Sequence, residues 1–113
     1  MKNNEELNEK IKNLRIKLGE YRTARTEAKK EIAFRSYQIS DIERQRERLN
    51  IYKKEQMEKY NDLSEKRARL MLVVIPKLEK EIKKLDVKIF KVNMKIEELT
   101  SESATKGAQL GEE

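Results

Sequence analysis

The fold is decided by residues 70–99, which read LMLVVIPKLEKEIKKLDVKIFKVNMKIEEL. Within this stretch aliphatic residues recur at alternating spacings of four and three, the period of a helix with one apolar face. We call this face the seam, and its members here are Leu78, Ile82, Leu85, Ile89, Val92, Ile96 and Leu99. The spacing predicts an amphipathic helix that docks on another helix.

The same stretch is also apolar away from its seam. Val87, Phe90 and Met94 fall on the opposite side of the helix, three and four residues apart. Before them, residues 70–75 form a collar that is apolar on every side, which is typical of a segment with several neighbours. The collar residues expected at an interface are Leu70, Leu72, Val74 and Ile75. Together these features predict an interface in a bundle of three or more helices.

The seam extends upstream in one register from Leu7 to Val74. Its apolar members there are Leu7, Ile11, Leu14, Leu18, Tyr21, Ala28, Ile32, Ile39, Ile42, Leu49, Tyr60, Leu63, Leu70 and Val74. Its charged and polar members are Arg25, Arg35, Arg46, Lys53, Gln56 and Arg67. Because charged core positions weaken helix pairing, we expect any break in this arm at residues 49–51 or 61–64.

The register slips by one residue at Pro76. Val74 and Leu78 are four residues apart where the pattern requires three, so one residue has been inserted. Proline disfavours the helical conformation of the residue before it, yet it is well tolerated at the start of a helix. A kink and a sharp reversal of the chain both fit this slip.

We therefore predict an all-α fold, either an elongated coiled coil or a helical hairpin or bundle. Three Gly and one Pro leave little material for the turns of a sheet. The expected parts are a long helical arm at residues 1–75, a break at Pro76, a shorter helix at residues 76–100 and a disordered tail at residues 101–113.

The composition excludes most catalytic chemistry. Cys, His and Trp are absent from the sequence, so thiolate and imidazole catalysis and the usual zinc ligand sets are not available. The sequence also contains no glycine-rich phosphate loop. We expect no enzyme activity, no cofactor, no metal site and no small-molecule substrate.

The sequence predicts a soluble cytoplasmic protein. Its first ten residues, MKNNEELNEK, are too polar for a signal peptide. The longest apolar run is the collar at residues 70–75, far shorter than the roughly 20 residues that cross a bilayer. We expect no membrane span.

Positive charge is spread along a chain of which 42% is charged and whose formal net charge is +6. Lysines follow one side of the last helix, and three arginines lie close together near the middle of the chain. These candidate contacts for anions or nucleic acid are Lys77, Lys80, Lys84, Lys88, Lys91, Lys95, Arg44, Arg46 and Arg48. Interleaved acidic residues favour a simpler interpretation, a solvated surface.

The function that the sequence favours is structural. A lone chain of this composition has few apolar residues with which to offset the entropy of ordering, so we expect a homo-oligomer or a subunit of a larger complex. Its work would be helix-to-helix docking, as a scaffold, spacer or adaptor. The alternative is a basic nucleic-acid-binding or packaging protein that uses the lysine row and the arginines.

Overall fold

The computed structural model describes the backbone of residues 2–112 and the side chains of residues 4–104. Helix α1 spans Lys2–Glu47, α2 spans Lys54–Arg69, and α3 spans Ile75–Glu112. A π-helical segment, Leu70–Val74, joins α2 to α3. No strand occurs in the described part of the chain, so the predicted all-α class is confirmed in the form of a helical hairpin.

The chain divides into two compact units. We call Thr26–Lys83 the turn unit, because it contains the loop between α1 and α2. In this unit Glu43 of α1 binds Arg67 of α2 at 2.9 Å, and Arg46 binds Ser64 at 3.1 Å. As residue numbers rise along α1 they fall along α2, so the two helices are antiparallel.

The second unit, Met1–Arg25 with Lys84–Glu113, is called the terminal unit. Leu7 and Ile11 of α1 pack against Leu99 of α3, with Leu14 and Ile96 beside them. Further along α1, Arg25 forms an ion pair with Asp86 at 2.5 Å. The order of these contacts makes the two helical segments antiparallel here as well.

The predicted seam supplies the buried side chains. Those described as buried are Leu7, Ile11, Leu18, Ala28, Ile42, Leu85 and Leu99, and each is a seam position. The charged seam residues Arg25, Arg35, Arg46 and Arg67 are half-buried, because their long stems pack while their guanidinium groups reach polar partners. The period of the sequence therefore identifies the packed face of each helix.

The arm is broken once, at the first of the two expected places. Helix α1 ends at Glu47, whereas residues 61–64 lie within α2. Asn50 organises the loop: its side-chain oxygen accepts the Tyr52 N–H at 3.0 Å, and its carbonyl accepts the Lys53 N–H at 3.1 Å. Asn forms such local turns readily, which explains the choice of this site.

The predicted break at Pro76 takes a different form. The irregularity lies just before the proline, in the π-helical segment, and Pro76 itself is inside α3. The N–H of Ile75 donates to the carbonyl of Leu70, five residues back. A π turn contains one residue more than an α turn, so it accommodates the inserted residue without ending the helix. Neither a reversal nor a new helix start is needed.

The predicted disordered tail also differs from the structure. Helix α3 continues through residues 101–112. Extending an existing helix costs less free energy than nucleating a new one, which favours the helical state of these residues. The side chains of residues 105–113 and the backbone of Glu113 lie outside the described residues.

Candidate docking surfaces

In the terminal unit, the sharpest surface feature is a line of exposed apolar side chains on α3. Val87, Phe90 and Met94 are 52%, 65% and 50% exposed. We call them the outer stripe, because helical geometry sets them on the side opposite the buried residues Leu85 and Leu99. They occupy successive turns, so another helix could cover all three at once.

The seam of α3 is used within this chain. Ile96 and Leu99 pack against α1 in the terminal unit, where Leu85 is also buried and Ile89 and Val92 are half-buried. In the turn unit, Leu78 and Ile82 are half-buried. The sequence predicted these residues for an interface with another chain, whereas Ile96 and Leu99 pack against a helix of the same chain.

The lysine row is uneven. In the terminal unit, the ammonium of Lys88 lies 5.6 Å from the centre of the Tyr21 ring, and Lys95 pairs with Glu98 at 3.3 Å. Lys84 and Lys91 are exposed there. The remaining members, exposed in the turn unit, are Lys77 and Lys80. The row is thus partly engaged by its own chain, as expected for a solvated face with local ion pairs.

The collar is also partly exposed. In the turn unit Leu72 is 74% exposed, whereas Leu70, Val74 and Ile75 are half-buried. The neighbouring Met71 and Val73 are exposed as well. The exposed side chains lie off the seam, whereas Leu70 and Val74 are seam positions.

Two aromatic side chains of α1 add to the exposed apolar surface of the turn unit. Phe34 and Tyr37 are 55% and 76% exposed, although neither was among the predicted interface residues. The available signal was their position off the seam, where a two-helix hairpin supplies no second helix to cover a large apolar side chain. A groove of about 450 Å³, lined by Arg35 and Val74 among others, places this part of α1 beside the π segment.

The three arginines do not act as a group. Arg46 turns inward, where its guanidinium donates to Ser64 and lies 5.3 Å from the centre of the Tyr60 ring. Arg44 and Arg48 are exposed, near a loop whose Tyr52 is 94% exposed. The arginine cluster of the sequence is therefore divided between the seam and the surface.

Among the described residues, no group of three or more acidic side chains could hold a metal ion. Within the same part of the chain, no helix is long and apolar enough to cross a membrane.

No protein-family model, no curated protein and no solved structure matches this chain.

Proposed function

We propose that this protein is a structural protein that acts by helix-to-helix docking, as a scaffold, spacer or adaptor within a homo-oligomer or a larger assembly. The observation that supports this most strongly is the outer stripe of α3. A helix that packs one apolar face within its own chain and exposes a second is typical of a component whose second face meets another molecule.

The physical driving force is the removal of apolar surface from water. Covering the outer stripe would stabilise a complex by about 25 cal/mol for each Å² of apolar surface buried. The exposed collar around Leu72 offers a second such surface in the turn unit. The cytoplasmic location predicted from the sequence belongs to the same proposal.

Site-specific photo-cross-linking in cells tests the docking function. A photoreactive amino acid at Phe90 or Leu72 should give adducts with protein, because these exposed side chains would lie in contacts. The same amino acid at Lys17 or Lys29, exposed polar positions of α1, is the matched control and should give none. Adducts that are no stronger at Phe90 and Leu72 than at the controls would refute docking through these surfaces.

Serine substitutions separate docking from folding. Phe90→Ser should reduce the adducts formed from a probe at Met94 and leave helicity and melting nearly unchanged, since an exposed side chain contributes little to the hairpin. Leu85→Ser should instead lower the free energy of unfolding by about 3 kcal/mol, because it removes a buried seam residue. Circular dichroism during urea unfolding measures the helicity and stability of both variants, and photo-cross-linking measures the adducts.

A second candidate function is contact with single-stranded nucleic acid at the α1–α2 loop. One observation favours it: α1 ends at Glu47, so the exposed Arg44 and Arg48 stand at the start of the loop that carries the almost fully exposed ring of Tyr52. Bases stack on such rings while arginines bind phosphates. Glu47 and Glu55 at the same loop reduce its net positive charge, so helix docking remains the better supported proposal.

A further inference from the structure

We propose that the outer stripe of α3 binds the outer stripe of a second copy of this chain, with the two helices antiparallel. The inference rests on the proposed docking function and names the partner of one surface. It is carried by the arrangement of charge around the apolar side chains, all of which lie in the terminal unit.

The outer stripe is symmetric about its middle. Val87 and Met94 lie at equal distances from the point between Phe90 and Lys91. At the flanks, Lys84 stands three residues before Val87, and Glu98 stands four residues after Met94. One end of this face is therefore basic and the other acidic, with apolar side chains between them.

An antiparallel pair makes this face complementary to itself. In two antiparallel helices related by a twofold axis, each edge of the face meets the same edge of its copy. Lys84 of either copy then lies about 1.5 Å, one residue, from the level of Glu98 of the other, which allows two ion pairs if Glu98 exchanges its internal partner Lys95. Val87 meets Met94, and the two Phe90 rings meet near the axis.

A parallel pair fits less well. Glu97 continues the line of Phe90 and Met94, so a parallel arrangement would set Glu97 against Glu97 of the second copy. It would also direct Lys91 toward Asp86 of the second copy, but Arg25 already pairs with Asp86, as Lys95 does with Glu98, so the ion pairs of the two arrangements meet equal internal competition. The like-charge contact at Glu97, on the line of the apolar side chains, therefore favours the antiparallel arrangement.

The dimer should be weak and reversible. Three apolar side chains from each copy fall well short of the roughly 800 Å² per partner that stable interfaces bury. The antiparallel arrangement also brings Lys91 near Lys91 of the second copy, which opposes association. Lys91→Gln should accordingly tighten the dimer by about threefold.

Single-cysteine cross-linking of the full chain tests the geometry, because the sequence contains no Cys. With a short thiol cross-linker, Lys91→Cys should form covalent dimers, since residue 91 lies beside the axis. Lys84→Cys should not, because two copies of residue 84 would be about 20 Å apart along the helices. Lys84→Cys mixed with Glu98→Cys should form mixed dimers. Strong self-linking of Lys84→Cys would overturn the antiparallel arrangement.

Charge exchange tests the chemistry. In sedimentation equilibrium, Lys84→Glu should weaken the dimer about fivefold, and adding Glu98→Lys should restore it. Failure of the double variant to recover would overturn the proposed pairing. Phe90→Ser should weaken the dimer at least about thirtyfold while the helical signal is unchanged.

The outcome also separates this inference from the proposed function. A chain that stays monomeric at every concentration, yet forms adducts with another protein from Phe90, overturns the second copy and leaves helix docking in place. A monomeric chain that forms no adduct from Phe90 or Leu72 overturns both.

Discussion

At the scale of single residues, each half-buried arginine of the seam has a polar contact. Arg46 is the clearest case: its guanidinium reaches Ser64 and the Tyr60 ring, but its Nε is buried without a hydrogen-bond partner among the described residues. Removing this guanidinium from water costs free energy, and its two contacts offset that cost only in part. Arg46 should therefore contribute little net stability for its position on the seam.

We expect Arg46→Met to raise the free energy of unfolding by about 1 kcal/mol, because it keeps the apolar stem and removes the partly desolvated charge. Urea unfolding followed by circular dichroism measures the change. Arg44→Met is the matched control, since Arg44 is exposed, and it should leave stability within about 0.5 kcal/mol. A loss of stability in Arg46→Met larger than in Arg44→Met would contradict this view of the seam.

At the scale of elements, the π-helical segment keeps the helix continuous across a change in the register of the seam. The seam includes Leu70 and Val74, the first and last residues of this segment. It continues at Leu78, one residue later than a regular heptad pattern allows. The wider turn holds the additional residue and returns α3 to the packed face. The insertion therefore leaves the helix continuous, and the side chain of Leu72, which lies off the seam, is exposed.

Deletion of Leu72 should convert the π-helical segment to regular α-helix and leave the free energy of unfolding within about 1 kcal/mol of its original value. The reason is that the deletion restores the heptad spacing for all later seam residues. Hydrogen exchange across residues 70–78 and urea unfolding together measure the result.

Deletion of Lys29, an exposed residue of α1, is the control. It rotates the following residues by about 100° and moves Ile32, Ile39 and Ile42 off the seam, so it should lower stability by more than about 3 kcal/mol. Equal losses in the two deletions would show that the π-helical segment does not absorb an insertion.

At the scale of the whole molecule, charge is distributed rather than concentrated. The formal net charge is +6 among 27 basic and 21 acidic residues, and the structure engages several of the basic ones within the chain. We expect a protein with this distribution to attract nucleic acid weakly and without sequence preference.

We expect binding to a single-stranded oligonucleotide to be detectable at about 50 mM salt and lost by about 200 mM, because weak phosphate contacts are screened by salt. Fluorescence anisotropy measures it. Tyr52→Ser and Tyr37→Ser provide a matched pair of exposed tyrosines, and we expect equal effects from both. Tight binding that survives 200 mM salt and depends on Tyr52 alone would favour the nucleic-acid function over helix docking.

Much of the fold could be predicted because it follows from local period. The alternation of spacings identified the packed face of each helix, and it identified Val87, Phe90 and Met94 as a separate apolar face. The sequence did not distinguish a seam that meets its own chain from one that meets another chain. Both burials require the same apolar residues, so periodicity alone carries no information about which helix is the partner.

Tertiary structure decided what local signals left open. Two breaks of the arm were compatible with the sequence, and the loop at Asn50 forms because α1 and α2 then pack through Ile42, Arg46 and Ser64. The orientation of Arg46 likewise depends on Tyr60, which is remote in sequence. At Pro76 the sequence allowed a kink or a reversal, and the need to keep both sides of the insertion on one packed face selected the π-helical segment.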